Sequence, residues 1–244
     1  ARAGLEVVVV EHRRGPIDKT CGEGLMPHSV RQLQQLDVEL DGRAFYGIRY
    51  LDGRRVAEAR FRDGAGRGVR RTVLHAALSD AAAAAGAKVV HGEVGEVTQD
   101  STSVCVAGFR ARYLAAADGL HSPIRRSLGL AHGESRRRRW GIRRHIQIAP
   151  WSDCVEVYWA RDTEAYVTPV MGLAFGAAEL LVGCVLADRP QDYDRQWRAM
   201  TRRYRLLTAA LLHGSGFRPV RACITPASAA LPAVFTRVVN ALGD

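Results

Sequence analysis

The stretch Tyr113–Leu130, YLAAADGLHSPIRRSLGL, constrains this chain more than any other: a short apolar run ends on Asp118-Gly119, and Ser122 and Arg125 follow. Residues Tyr113 to Ala117 contain no Gly, Pro or charge, the composition of a strand buried on both faces of a parallel sheet. Asp118 falls where that strand stops. A carboxylate there can accept hydrogen bonds from ribose-type hydroxyls, and Gly119 lets the backbone turn while a ligand approaches closely. Ser122 followed by Pro123 predicts an N-cap with proline in the first helical turn. Strand, tight turn and helix in so short a span demand an α/β arrangement at this point.

The same architecture is legible upstream. Val7 to Val10 are consecutive valines ending at Glu11, which reads as an interior parallel strand with an acid at its carboxyl end. In a dinucleotide-binding βαβ unit such an acid receives the adenosine ribose, and the glycine loop that cradles phosphate precedes the strand. That loop is expected before Ala1. The run Gly64-Ala65-Gly66-Arg67-Gly68 has Val69 where the loop's last glycine would stand, so it is expected to be a flexible connection from hairpin to helix. Pro27 and Ser29 open a short helix with Val30, Leu33 and Leu36 on one face. Arg43 to Phe61 alternate around Asp52-Gly53, a hairpin. Arg71 to Ala85 place Val73, Leu74, Ala77 and Leu78 at helical spacing, with Gly86 as the stop. Val89 to Val106 alternate as short strands.

After Gly133 the period becomes 2, through Arg137–Ile148, Val155–Trp159, Tyr166–Val170 and Leu180–Leu186, which predicts an antiparallel sheet. A helix is expected near Tyr193–Leu212, and Val234–Leu242 is expected to return as a strand ending in the turn Gly243-Asp244. Both ends read as cut within secondary structure, ARAGLEVVVVE at one and RVVNALGD at the other, so the chain is expected to be a fragment.

Composition narrows the function classes. No apolar run approaches the roughly 20 residues of a membrane-spanning helix, which leaves peripheral membrane contact open. The five cysteines, Cys21, Cys105, Cys154, Cys184 and Cys223, form no C-x-x-C pair. That argues against zinc and a disulfide framework and fits a reducing cytoplasm. The net charge of +10 is carried almost wholly by Arg, Lys occurring only at Lys19 and Lys88. Around Trp140 a strand would carry Arg137, Arg139, Arg143 and His145 on one face and Trp140, Ile142, Ile146 and Ile148 on the other. No nucleic-acid motif accompanies this charge, so a patch for an acidic small molecule is preferred to a polynucleotide site.

The pattern Asp118, Gly119, Ser122, Arg125 resembles the DG motif of FAD-dependent oxidoreductases of the para-hydroxybenzoate hydroxylase type, a group that includes geranylgeranyl reductase-like flavoproteins. The order of elements along the chain is similar to that family throughout. The resemblance implies a Rossmann-like FAD-binding domain, here incomplete, interleaved with an antiparallel β-sheet substrate domain. Residues 1–42, 70–133 and 231–244 would belong to the first, and 43–69 and 134–230 to the second. It implies FAD contacts from Asp118, Gly119, Ser122 and Arg125, with Glu11 on the adenosine ribose and Arg13, beside Arg14, near the adenosine half. Cys21-Gly22-Glu23-Gly24 resembles a segment that lies close to the isoalloxazine ring. Arg71, with Leu74 and Leu78, resembles an arginine that approaches the cofactor from its helix start. Gly243-Asp244 resembles the family's GD motif, whose Asp holds the ribityl chain. AYVTP (165–169) stands where reductase-like members have Y-x-W-x-F-P, with Thr168 in place of the second aromatic, so Tyr166 is the candidate substrate contact.

The expected function is therefore a flavin reduced by NAD(P)H and then acting on a small organic substrate. Two chemistries stay open, reduction of an isoprenoid-like alkene and hydroxylation of an aromatic ring. A basic binding protein on the same fold without redox activity is the competing reading. No metal ligands are expected. Because the glycine loop is not in this sequence, residues 1–244 alone are expected to bind FAD weakly and to dissolve poorly.

Overall fold

The structure is a computed structural model that describes residues 1–53, 55–131, 141–143, 145, 150–159, 164–167, 195, 198–199, 202, 206 and 218–243. In chain order come β1 (Val8–Glu11), β2 (Gly24–Leu25), α1 (Pro27–Gln35) and β3 (Arg43–Phe45). The hairpin of β4 (Gly47–Asp52) and β5 (Arg55–Arg60) leads to β6 (Gly66–Gly68) and α2 (Arg71–Ala84). Next are β7 (Lys88–His91), β8 (Val97–Gln99), β9 (Val104–Val106), β10 (Phe109–Ala111) and α3 (Pro123–Ser127). After them stand β11 (Val155–Trp159), β12 (Glu164–Tyr166), α4 (Arg218–Ala230) and α5 (Pro232–Gly243). The expected strand Leu180–Leu186 lies outside the described residues, as do most of Arg137–Ile148 and of the helix near Tyr193–Leu212. The chain divides into two compact units, Ala1–Ile17 with Ala82–Ile142, and Asp18–Ala81 with Arg143–Asp244.

In the first unit the valine run does form a parallel strand. β1 pairs with β7 in the register Val8↔Lys88 to Glu11↔His91. β8, β9 and β10 make an antiparallel meander whose second turn is Ala107-Gly108. Both turn residues have positive φ, 48° and 78°, the geometry of a two-residue hairpin loop that matches strand twist. One expectation is overturned here: Tyr113–Ala117 is not a strand, and Ala115 to Ala117 are exposed. Among the described residues no strand pairs with this segment, and an apolar run gains nothing from extended geometry unless its backbone groups find a ladder.

The second unit is built on a sheet in the order β12-β11-β4-β5. β4 and β5 are the predicted hairpin, paired from Gly47↔Arg60 to Asp52↔Arg55. β11 pairs antiparallel with β12 but parallel with β4, Val155↔Ile48 to Tyr158↔Leu51, so the sheet is mixed where an antiparallel one was expected. The cause is connectivity: β11 follows an excursion through the other unit, and such a crossover can bring a strand back in the same direction. On one face Ile48, Ala57, Ala59, Val155 and Val157 form a core with Met26, Phe45, Phe235 and Val239. Tyr50 packs between Phe235 and Trp159, with ring centroids 5.3 and 5.6 Å away. Each large aliphatic side chain removed from water here contributes about 1.5–3 kcal/mol.

Val234–Leu242, expected as a strand, lies in α5. Burial recurs at Phe235 and Val239, four residues apart, which is helical spacing, whereas a strand would bury alternate residues. Asn240 docks this helix on the end of β5, donating to Arg60 O (3.1 Å) and accepting from Arg62 N (3.1 Å). α4 was not among the expected elements, and it forms despite two prolines. Pro219 sits in the first turn, where a missing N–H costs nothing, and only Pro226 is interior.

The opposite face of the sheet carries charge. Arg49 on β4 stands between Glu58 on β5 and Glu156 on β11, directly opposite each in register. Its Nη1 donates to Glu156 (3.0 Å), and its Nε and Nη2 to Glu58 (2.9 and 2.7 Å). Glu156, only 2% exposed, also accepts from Trp151 Nε1 (2.9 Å) and the Tyr158 hydroxyl (2.6 Å). Arg60 extends the row to Asp153 (2.6 Å).

A three-stranded sheet, β2-β6-β3, completes the second unit. The glycine run at 64–68, expected as a flexible connection, supplies its central strand. A Cβ on Gly66 would lie 2.4 Å from the Phe45 ring and 2.7 Å from Leu25 O, so glycine is what lets that ring lie on the backbone. A second cluster joins Leu25, Leu33, Val38 and Val69 to Leu74, Ala77 and Leu78 of α2. Val73 and Leu36, expected on the packing faces of their helices, are 45% and 37% exposed.

Candidate functional site

The D-G-x-x-S-x-x-R stretch folds as a self-capped loop. Gly119 has φ 94°, a conformation that favours glycine. Ser122 is buried, and its hydroxyl accepts from Arg125 N (2.9 Å), the N-cap bond predicted for it. Asp118 Oδ2 accepts from Ile124 N (3.2 Å), so a carboxylate joins the Ser122 hydroxyl as an acceptor at the start of α3. The Arg125 guanidinium turns back to Leu120 O. Burial works against ionisation of Asp118, but the Ser122 hydroxyl, the Ile124 N–H and the Arg125 charge outweigh it and hold the carboxyl below its usual range. Asp118 is thus an anion at neutral pH, held beside an open glycine.

Glu11 ends β1 as expected. Its carboxylate accepts from Arg13 N (3.0 Å) and lies 3.2 Å from His12 Nδ1, while its carbonyl accepts from Gly92 N (3.1 Å). The E-x-R spacing therefore closes a turn at the carboxyl end of a parallel strand. The Arg13 guanidinium donates to His12 Nε2 (3.2 Å), and Arg13 and Arg14 are both exposed.

In the second unit Cys21, Gly22 and Arg71 are gathered by a residue to which the sequence pattern attached no role. Glu23 has φ 61° and a side chain 15% exposed. Its Oε1 accepts from Arg71 N (3.0 Å), capping α2, and from Arg143 Nη1 (2.9 Å); its Oε2 lies 2.6 Å from His145 Nε2. Arg143 also reaches Asp18. Burial opposes ionisation of Glu23, yet the Arg71 N–H, His145 and Arg143 together hold it below the ordinary glutamate range, and Arg143 does the same for Asp18. Arg143 and His145 were expected on a strand facing an acidic ligand. They stand on irregular backbone and are occupied by carboxylates of this chain. The signal was unreadable locally, since these partners lie 120 and 122 positions apart.

Tyr166 is half exposed on β12, opposite Val157. Gly243 is the last residue of α5, and Asp244, Arg137, Arg139 and Thr168 lie outside the described residues. Four described cysteines, Cys21, Cys105, Cys154 and Cys223, are free thiols. Among the described residues no helix is long and apolar enough to cross a membrane.

The donor set fits a nucleotide cofactor: two carboxylates ending or following apolar segments, and positive-φ glycine beside one of them. Comparison with known proteins agrees. Menaquinone reductase of Mycolicibacterium smegmatis is 32% identical over 217 residues, which is 79% of this chain and 52% of that protein. The chain thus spans about half the length of that relative. A flavoprotein/dehydrogenase from Cytophaga hutchinsonii shares the fold with a TM-score of 0.52 at 19% identity, over 64% of this chain and 44% of that one. A geranylgeranyl bacteriochlorophyll reductase-like protein from Thermoplasma acidophilum does so with 0.50 at 18%, over 70% and 49%. The FAD binding domain family matches residues 1–213, and the chain belongs to this family of flavoprotein oxidoreductases.

Proposed function

We propose that this chain forms part of an FAD-dependent reductase that takes electrons from NAD(P)H and delivers them to an unsaturated, isoprenoid-like organic substrate. The observation that carries the reductase branch is the kinship with menaquinone reductase. FAD, when bound, supplies the two-electron chemistry. The chain's own residues bind and orient it. Glu11 takes the adenosine ribose, with Arg13 beside it, and Asp118 accepts from a further hydroxyl where Gly119 leaves room. Ser122 and Arg125 act by holding that loop in shape. Cys21, Gly22 and Arg71 belong to the flavin end, Gly243 and Asp244 to the ribityl chain, and Tyr166 to the substrate. The division into cofactor segments (1–42, 70–133, 231–244) and substrate segments (43–69, 134–230) is part of the same proposal, as is a cytoplasmic setting.

The test is to titrate FAD into the protein while following flavin fluorescence, then to incubate the loaded protein with NADH or NADPH and menaquinone without oxygen. A product that has gained hydrogen supports the reductase. A product that gains an oxygen atom, and only in air, would replace it with hydroxylation. A protein that takes up no FAD would leave the binding-protein reading in its place.

A further inference from the structure

Residues 18–23 belong to no helix or strand, and one side chain holds both their ends. Arg143 donates through Nη2 to the Asp18 carboxylate, and through Nη1 to Lys19 O (3.1 Å) and Glu23 Oε1 (2.9 Å). The Arg143 side chain is 19% exposed and that of Glu23 15%, so water competes weakly for the bond between them, while the Asp18 end of the clamp is 51% exposed. Glu23 is anchored in turn by Arg71 N, by His145, and by its carbonyl, which accepts from Val69 N (2.7 Å). Cys21 and Gly22 lie between the two clamped ends. A planar guanidinium can reach two carboxylates and a carbonyl at once, which the single ammonium of lysine cannot reproduce.

We propose that Arg143 is a positioning residue that clamps residues 18–23 and thereby fixes how Cys21 and Gly22 meet the flavin ring. The ring rests on the FAD reading above; the clamp does not.

The experiment follows alkylation of individual cysteines by iodoacetamide, resolved by peptide mass spectrometry, in the protein and in Arg143→Met, Arg143→Lys and Asp18→Ala. Exposed Cys105 and Cys223 serve as references, and buried Cys154 reports global opening. Cys21 should react about tenfold faster in both Arg143 variants and about threefold faster in Asp18→Ala, the size expected for loss of several or one charge-assisted hydrogen bonds. The references should stay unchanged. A Cys21 rate within about twofold of the parent in Arg143→Met overturns the clamp. If that variant exposes Cys154 it has unfolded, and Asp18→Ala decides: faster Cys21 alone supports the clamp, no change overturns it. With FAD bound, Arg143→Lys should also shift the flavin's visible band and reduction midpoint. An opened Cys21 beside an unaltered flavin overturns the positioning role. If the parent takes up no FAD, the cofactor reading fails and the flavin half of this proposal with it, while the alkylation rates still judge the clamp.

Discussion

Replacing Arg49 by Met removes the centre of the row Glu156–Arg49–Glu58 and leaves Glu156, 2% exposed, with only the Trp151 and Tyr158 donors. Breaking a buried ion pair from one side costs about 3–5 kcal/mol, because an uncompensated charge stays behind. Arg49 itself is 29% exposed, which admits some screening and favours the lower end, about 3 kcal/mol. Glu58 is a different case. It is 30% exposed, so Glu58→Gln should cost no more than about 1 kcal/mol. Urea unfolding followed by tryptophan fluorescence reads both, and a loss of about 3 kcal/mol corresponds to a melting shift of about 6–12 °C for a chain of this size. The double variant Arg49→Met, Glu156→Gln should recover most of the loss, since neither partner is then charged.

The pH dependence carries the sign. Burial disfavours ionised Glu156, but Tyr158, Trp151 and Arg49 outweigh it and depress the folded pKa. The stability this supplies is present above the unfolded glutamate value and vanishes as pH falls through the depressed folded value. The gap between parent and Arg49→Met should therefore narrow on acidification. A loss below about 1 kcal/mol at neutral pH, or a double variant no better than the single one, would refute the reasoning.

Four further outcomes are expected. Ser122→Ala should destabilise the loop before α3 by about 1 kcal/mol, and Asp118→Ala should weaken FAD binding about 10–100-fold, both measurable by flavin fluorescence titration beside thermal melting. Gly66→Ala should cost about 1–3 kcal/mol in urea unfolding, because its Cβ meets the Phe45 ring and Leu25 O; an unchanged midpoint contradicts that packing. The Cys154 thiol is pushed up to about 11, chiefly by burial and then by Glu58, so near pH 8 it should resist alkylation while Cys105 and Cys223 react.

What the sequence disclosed depended on the range of the physics involved. The β4–β5 hairpin, the Ser122 cap, the Gly86 stop and the valine strand are set by neighbours in the chain, and each is found where its local pattern put it. Glu23 and Arg143 meet only after the chain has folded, and no spacing rule joins them. The apolar run at 113–117 and the valine-containing stretch at 234–242 show the other limit. Their composition suits a buried strand, but whether a strand forms depends on a neighbour to pair with, and α5 instead buries Phe235 and Val239 as a helix. The glycines at 64–68 were read as freedom when at Gly66 their absence of a side chain is a packing requirement.

The parallel seam between β4 and β11 bears on how the molecule assembles. Arg49 and Glu156 are 107 positions apart, so the hairpin emerges from the ribosome long before its partner strand exists. Until then the β4 edge offers unpaired N–H and C=O groups, and Arg49 has only Glu58 to hold. The charge on that edge disfavours pairing with another chain's strand during the wait. Closure across so long a loop makes the seam a late and slow step, and mutations there should act mainly on the rate of unfolding.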